Sequence, residues 1–383
     1  MKKKWMLSMS MLLPLMLAGC GGGNASTKVG LIVSAAGAND NGYNQSAIAG
    51  LTKAASDFNI SQKVVNSADD VPGSLEALAE DGYKLIFSLE YNFDALITND
   101  GSGKSIAEKY PDTTFVVFNA FANTDSTGVR VHDNVVEVLF NIAQSSFLAG
   151  ALAVMVNEAN DVLFTSDDYH FTPVNQYRGV GFIGGTQSDG ITVFGNGFAQ
   201  GANYAAQDAD VNYNLYQTYS AGFGASTENY NTIASYYDAG VNVVFAAAGG
   251  VSTNMKNAAS NKGKLSIDVD ANQDASVPGY VLTSVLKNTE VAVYDLVGKF
   301  LDNKLTEKDY YYDLDSGATG ITDLATISSY IDTSEAAQAK WTEIKGKIED
   351  IKDDIADGTI TVVDSQKGET LDFSTLHNIT KAN

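Results

Sequence analysis

Several short stretches of this chain gather side chains suited to holding a small polar molecule. In residues 37–51, Asp40, Tyr43 and Asn44 bring a carboxylate, an aromatic ring and an amide into one polar turn. Asp40 either caps the helix that follows or meets a ligand, while Tyr43 can stack and Asn44 can both donate and accept. Residues 181–185 end an apolar run on Gly184-Gly185, and Phe194 comes next on a helical pattern, either as a stacking ring or as ordinary core. Residues 246–250 end another run in Ala-Ala-Ala-Gly-Gly, which favours close backbone contact, with Gly249 as the contact position. Asp268 and Asp270 close a further run. A carboxylate there can accept two hydrogen bonds from a sugar diol, or simply shape the turn. Lys287 ends the last run, either as a donor into a cleft or as a solvated strand end.

The bulk composition narrows the partners. The chain has 383 residues and a net charge of −22, so nucleic acid and anionic membrane surfaces are poor partners. Three His and one Cys exclude a His/Cys zinc site. The acidic clusters at Asp167-Asp168 and 349–354 lack the spacing of a calcium-binding loop, so no metal is expected. No G-x-S-x-G elbow and no Walker pattern occurs, and the His residues sit in no nucleophile motif. The chain reads as a binder without cofactor rather than as an enzyme.

The amino terminus predicts export. Lys2, Lys3 and Lys4 precede an apolar stretch, 5–18, too short to be a confident transmembrane span. Leu17-Ala18-Gly19-Cys20 then matches a bacterial lipobox. Residues 1–19 are thus expected to be a signal peptide, Cys20 the lipidation site and 20–27 a flexible tether. Lipid would anchor the chain at the outer face of the cell membrane.

Positioning the candidate residues requires alternating strands and helices. Apolar strand candidates are 29–33, 85–89, 115–118, 179–183, 241–246, 265–267 and 281–285. Helical patterns cover 45–58, 135–156, 192–206, 227–238, 252–261, 290–301 and about 333–356, with Thr333 or Ser334 to cap the last and Gly358 to stop it. A short strand is expected at 359–363, and a polar loop at 157–178. Such alternation predicts α/β lobes with parallel sheets around a ligand cleft. Residues 28–145 form mainly the first lobe and 146–280 mainly the second. Residues 281–383 provide hinge crossings, return to the first lobe and then supply carboxyl-terminal elements.

Seven segments in order resemble the basic membrane protein family of lipoproteins. They are Asp40 to Ser46, Ser146-Phe147-Leu148-Ala149-Gly150, Val180 to Gly185, Phe194 with Gly197 and Phe198, Ala247 to Gly250, Val269 to Gln273, and Thr283-Ser284 with Lys287 and 292–295. The resemblance implies a type I periplasmic-binding-protein fold with two Rossmann-like lobes. It further implies a monomeric receptor that captures a nucleoside, with a purine base, and delivers it to an ABC transporter permease. In such receptors the base lies between two rings, here Tyr43 and Phe194. A side-chain amide matching Asn44 helps fix the ligand, residues matching Asp270 and Lys287 hold the ribose, and Asn119 stands where an acidic residue usually meets the base edge. Tyr43 replaces the usual Phe. Asn119 in place of Asp shifts base preference toward an edge carrying an acceptor. Glu90, in an unusual 89–93 turn, would supply the missing carboxylate. The alternatives are a flavin-like or free-sugar ligand on the same fold, or a membrane sensor or adhesin without transport.

Overall fold

The computed structural model describes residues 26–34, 37–40, 42–66, 70–89, 94–98, 103–119 and 123–382. The expected signal peptide, Cys20 and Glu90 lie outside the described residues.

Runs of apolar, often β-branched residues form strands buried on both faces, as parallel sheets require. In chain order the first elements are β1 (Thr27–Val33), α1 (Tyr43–Asp57), β2 (Ile60–Asn66), α2 (Val71–Glu80), β3 (Leu85–Ser88), α3 (Asp94–Ile97), α4 (Ile106–Lys109), β4 (Thr114–Phe118) and β5 (Val135–Phe140). Next come α5 (Ile142–Glu158), α6 (Asn160–Leu163), β6 (Gly179–Gly184), α7 (Asp189–Asp208), β7 (Tyr213–Thr218), α8 (Thr227–Asp238), β8 (Val243–Ala247), α9 (Val251–Lys262), β9 (Leu265–Asp270) and β10 (Val281–Lys287). The chain closes with α10 (Thr289–Leu301), β11 (Asp309–Tyr312), β12 (Thr319–Ile321), α11 (Ala325–Ser328), α12 (Glu335–Ala356) and β13 (Ile379–Lys381).

Two sheets result, one for each Rossmann-like lobe. The first runs β2-β1-β3-β4-β5-β11 and the second β13-β7-β6-β8-β9-β10-β12. The five core strands take the same order in both and pair in parallel, while the second sheet adds β13 at one edge and an antiparallel β12 at the other. Each sheet reverses direction between its first and third strands, so both present a ligand crevice at their carboxyl ends.

Among the described residues the chain crosses between lobes at three places, namely β5 to α5, β10 to α10 and β11 to β12. The crossings are bonded to one another. Asn141 N donates to Tyr312 O at 2.7 Å, and Asn288 N to Ala318 O at 2.8 Å. The Asn288 amide also donates to Gly317 O.

The pattern over 135–156 divides where a single helix was expected. Val135–Phe140 is wholly buried and β-branched, so it pairs between β4 and β11, and Asn141 turns the chain into α5. Residues 359–363 form no strand. There the backbone of Val363 bonds the side chain of Gln200 through both N and O instead of a ladder. The expected loop at 157–178 begins only after α5 ends at Glu158, and it contains the short α6. The long helix begins at a Ser334 cap, which accepts from Ala337 N, and stops at left-handed Gly358.

Helix α5 is buried almost throughout and lies tightly on α7. Small residues allow this approach, since a Cβ on Gly201 would overlap the carbonyl of Phe147. Gly201→Ala is therefore expected to destabilise the protein by about 1–3 kcal/mol in denaturant unfolding. Gly346 of α12 meets nothing within 4 Å, so Gly346→Ala should be neutral or stabilising by up to about 1 kcal/mol.

Candidate functional site

The turn between β1 and α1 is held by its own polar side chains. Asp40 accepts from Gly42 N at 3.0 Å, Gln45 N at 3.1 Å and Asn44 N at 2.8 Å. Its carboxylate thereby serves the open amino terminus of α1. Asn44 is buried; its Oδ1 accepts from Ser34 N, and its Nδ2 donates to Ser34 Oγ and Gly37 O, each at 2.9 Å. Both amide hydrogens are engaged, which makes Asn44 a brace of the turn. Tyr43 is fixed from the other side, where Thr289 Oγ1 donates to its carbonyl at 2.8 Å. Glu290 N donates to Ser46 Oγ at 3.1 Å. Helix α10, which starts just beyond Lys287, thus locates the ring of Tyr43.

On the second lobe Asp270 ends β9 in the left-handed region, with φ 71°. The turn after it is pinned to β10, because Ser284 Oγ accepts from Gln273 N at 3.0 Å and donates to Asp274 at 2.7 Å. The lobes meet here, since a Cβ on Gly42 would stand 3.5 Å from Asp270 Cβ. Lys287, one residue beyond the partner of Asp270 in the β9–β10 register, is buried. Its amine lies 5.2 Å from the Tyr43 ring centre and 5.6 Å from that of Phe140. Among the described residues it makes no hydrogen bond and no ion pair. Burial pushes Asp270 up to about 6, against the pull of Lys287 and with the Asp40 and Asp268 charges adding to the rise. Burial likewise pushes Lys287 down to about 8, against the pull of Asp270.

Asn119 ends β4 and is also left-handed, with φ 68°. Its Nδ2 donates to the Tyr43 hydroxyl at 2.6 Å, and its buried Oδ1 has no partner. One of the two amide hydrogens is engaged within the chain, which leaves the second hydrogen and the Oδ1 without a partner among the described residues.

Phe194 packs into the core. It is 4% exposed and meets Phe245 edge-on, with ring centres 6.1 Å apart. Phe223, which the sequence analysis did not single out, is 52% exposed at the carboxyl end of the same sheet. Its loop is bonded at both sides. Gly222 N donates to Gly185 O and Gly250 N to Phe223 O, each at 2.9 Å, while Asn229 Nδ2 holds Ala221 O and Gly224 O. The ring lies over Gly185, just past the end of β6, where a Cβ would stand 2.5 Å from it. Gly249 also needs its missing side chain for its φ of 51°. The sequence signal was Gly222-Phe223-Gly224 after a strand, and it was hidden because β7 itself went unread.

Together these groups offer aromatic faces, a buried amine beside a half-buried carboxylate, and an open acceptor. Among the described residues no group of His, Cys, Asp and Glu is placed to hold a metal, and no helix is long and apolar enough to cross a membrane.

Protonation of Asp270 favours the folded chain, because its folded pKa lies above its ordinary value of 3.8. Stability should therefore fall as pH rises from about 4 to about 6. For Lys287 the penalty is present below about pH 8 and lifts as pH rises toward its ordinary value of 10.5. Thermal midpoints across pH for Asp270→Asn and Lys287→Met check this. The first should flatten the acid fall and the second the alkaline rise, and unchanged profiles would refute the burial account.

A family model described as ABC transporter substrate-binding protein PnrA-like matches residues 26–354. The chain is 26% identical to the ABC transporter nucleoside-binding protein BmpA of Lactococcus lactis subsp. cremoris, over 90% of this chain and 94% of that one. It is 27% identical to basic membrane protein B of Borreliella burgdorferi, over 69% and 71% respectively. An uncharacterized lipoprotein of Pyrococcus abyssi is 25% identical over 90% of this chain and 81% of its own length. Among solved structures, an ABC transporter solute-binding protein from Aeropyrum pernix superposes with a TM-score of 0.68 at 20% identity, covering 91% of this chain and 95% of that one. Another from Conexibacter woesei gives 0.63 at 16%, covering 88% and 99%. The fold is thus the type I periplasmic-binding-protein fold, and the chain belongs to the basic membrane protein family of PnrA-like ABC transporter substrate-binding proteins.

Proposed function

We propose that the protein is an extracytoplasmic, lipid-anchored receptor, monomeric and without catalytic activity, that captures a purine nucleoside and hands it to an ABC permease. The observation that carries this reading is the cluster of Tyr43, Lys287 and Asp270, an aromatic face beside a buried amine and a half-buried carboxylate that are not bonded to each other. A nucleoside joins a flat base to a diol, and this cluster complements both parts. The Tyr43 ring covers one face of the base and Phe223, rather than Phe194, the other. Asp270 accepts from the ribose hydroxyls and Lys287 donates to them. The open Oδ1 of Asn119 takes a donor on the base edge, and Gly249 lets backbone come near. Asp40 and Asn44 hold the turn that aims Tyr43. The L. lactis relative, named as a nucleoside-binding protein, supports the ligand class. Other relatives named as lipoproteins support the anchor, for which Cys20 is the lipidation site.

Cleft closure follows from the placement of these groups on two lobes. Only the closed state gains every contact, so ligand shifts the population toward it.

Calorimetric titration with adenosine, guanosine, inosine, uridine, riboflavin and ribose tests the reading. A purine nucleoside should bind at micromolar Kd or tighter, corresponding to roughly −8 kcal/mol or better. Asp270→Ala and Asn119→Leu should each weaken binding by roughly 1–3 kcal/mol, by leaving ligand groups unpaired. Phe223→Ala should cost about 1–3 kcal/mol of stacking. Phe194→Ala should instead lower stability by about 3–5 kcal/mol, through a cavity beside Phe245. Tight binding of riboflavin or ribose with no response to nucleosides would overturn the assignment.

A further inference from the structure

A cavity of about 550 Å³ lies away from the cleft cluster, between the start of α7, the end of β7 and the carboxyl-terminal segment. It sits at the β7–β13 margin of the second sheet, while Asp270 ends β9. Three strand spacings, roughly 14 Å, separate β7 from β9. One wall comes from Asp189, Asn196 and Gln217, and the other from Glu369, Phe373 and Lys381. The second wall lies wholly beyond residue 354, where the family match ends. It is fastened to the lobe. β13 adds to β7 as a parallel edge strand, and Ser365 Oγ donates to Asp189 O at 3.2 Å.

The lining is chemically unfinished. The Asp189 carboxylate has no hydrogen bond or ion pair among the described residues, and the buried Oε1 of Gln217 has no partner. Glu369 uses one oxygen on Asp364 N. The Lys381 amine rests 3.5 Å from the centre of the Phe373 ring, with no carboxylate bonded to it among the described residues. Amides and carboxylates mixed with one amine can satisfy groups that donate and accept at once. Two carboxylates against a single amine disfavour a phosphate or another anion. The volume is that of a small-molecule site, and the polar lining does not suit a lipid.

We propose that this groove is a second ligand site of the protein, taking a neutral polyhydroxylated molecule of mono- or disaccharide size. Hydroxyls of the ligand donate to Asp189, Gln217 and the free oxygen of Glu369, and they accept from Lys381 and Asn196. The site stands independently of the nucleoside reading, because it shares none of those residues.

Saturation-transfer NMR on the full chain, with glucose, N-acetylglucosamine, maltose and sucrose as probes, tests it. Transfer to at least one sugar is expected in the presence of saturating adenosine. Asp189→Ala and Lys381→Ala, both at exposed positions, should each weaken it at least about tenfold, whereas Asp270→Ala should leave it unchanged. Unaltered thermal midpoints would show that both variants remain folded. Absence of transfer from all four sugars would overturn the proposal. So would transfer that survives both groove variants, or transfer lost in Asp270→Ala, which would place the sugar in the cleft.

Discussion

Asp270 and Lys287 stand at the ends of adjacent strands, the first half-buried and the second buried, and are joined by no direct ion pair among the described residues. Two charges in that position are costly unless something completes their bonding. Much of the surrounding structure keeps them there. Ser284 pins the turn that leaves Asp270 exposed to the cleft, and α10 starts directly after Lys287 and grips the backbone of Tyr43. Relaxing either charge toward solvent would mean moving a strand end buried between two others. The incompleteness is therefore built into the sheet.

The two lobes solve the same geometric problem twice. The five core strands of their sheets share one order, and β4 and β9 occupy equivalent places in it. Each of these strands ends on a non-glycine residue in the left-handed region, Asn119 in one lobe and Asp270 in the other. Such a backbone is strained for an L-residue, less so for Asn and Asp, and it turns the chain sharply at the crevice. One lobe thereby offers an amide bonded to Tyr43 and the other a carboxylate acting on Lys287. A molecule lying between them meets different chemistry at its two ends, which is how a symmetric scaffold receives an asymmetric ligand.

The strands that form both sheet centres were legible because burial on both faces leaves unbroken apolar runs, as in residues 29–33 and 115–118. The elements that escaped notice lie at sheet margins. β2 and β7 mix polar and apolar residues because one face meets solvent, and β11 is exposed at alternate positions. Missing β7 hid Phe223, since a ring in a Gly-flanked turn gains meaning only once a strand is seen to end beside it. Residues 135–156 read as one helix because wholly buried segments carry no periodicity, so only Asn141 marks the change from strand to helix. The site residues were named from their types. Their division of labour depended on distances, which show Asn44 and Asp40 bracing a turn and Asn119 bonded through its donor.

The most direct test of the central claim is mass spectrometry of the small molecule released when the protein, purified from cells without added ligand, is denatured. The account predicts a purine nucleoside, released from wild-type protein and absent from an Asp270→Ala variant prepared in parallel. A flavin or a sugar released from wild type and lost in Asp270→Ala would contradict it, because the Tyr43–Lys287–Asp270 cluster would then serve a different ligand.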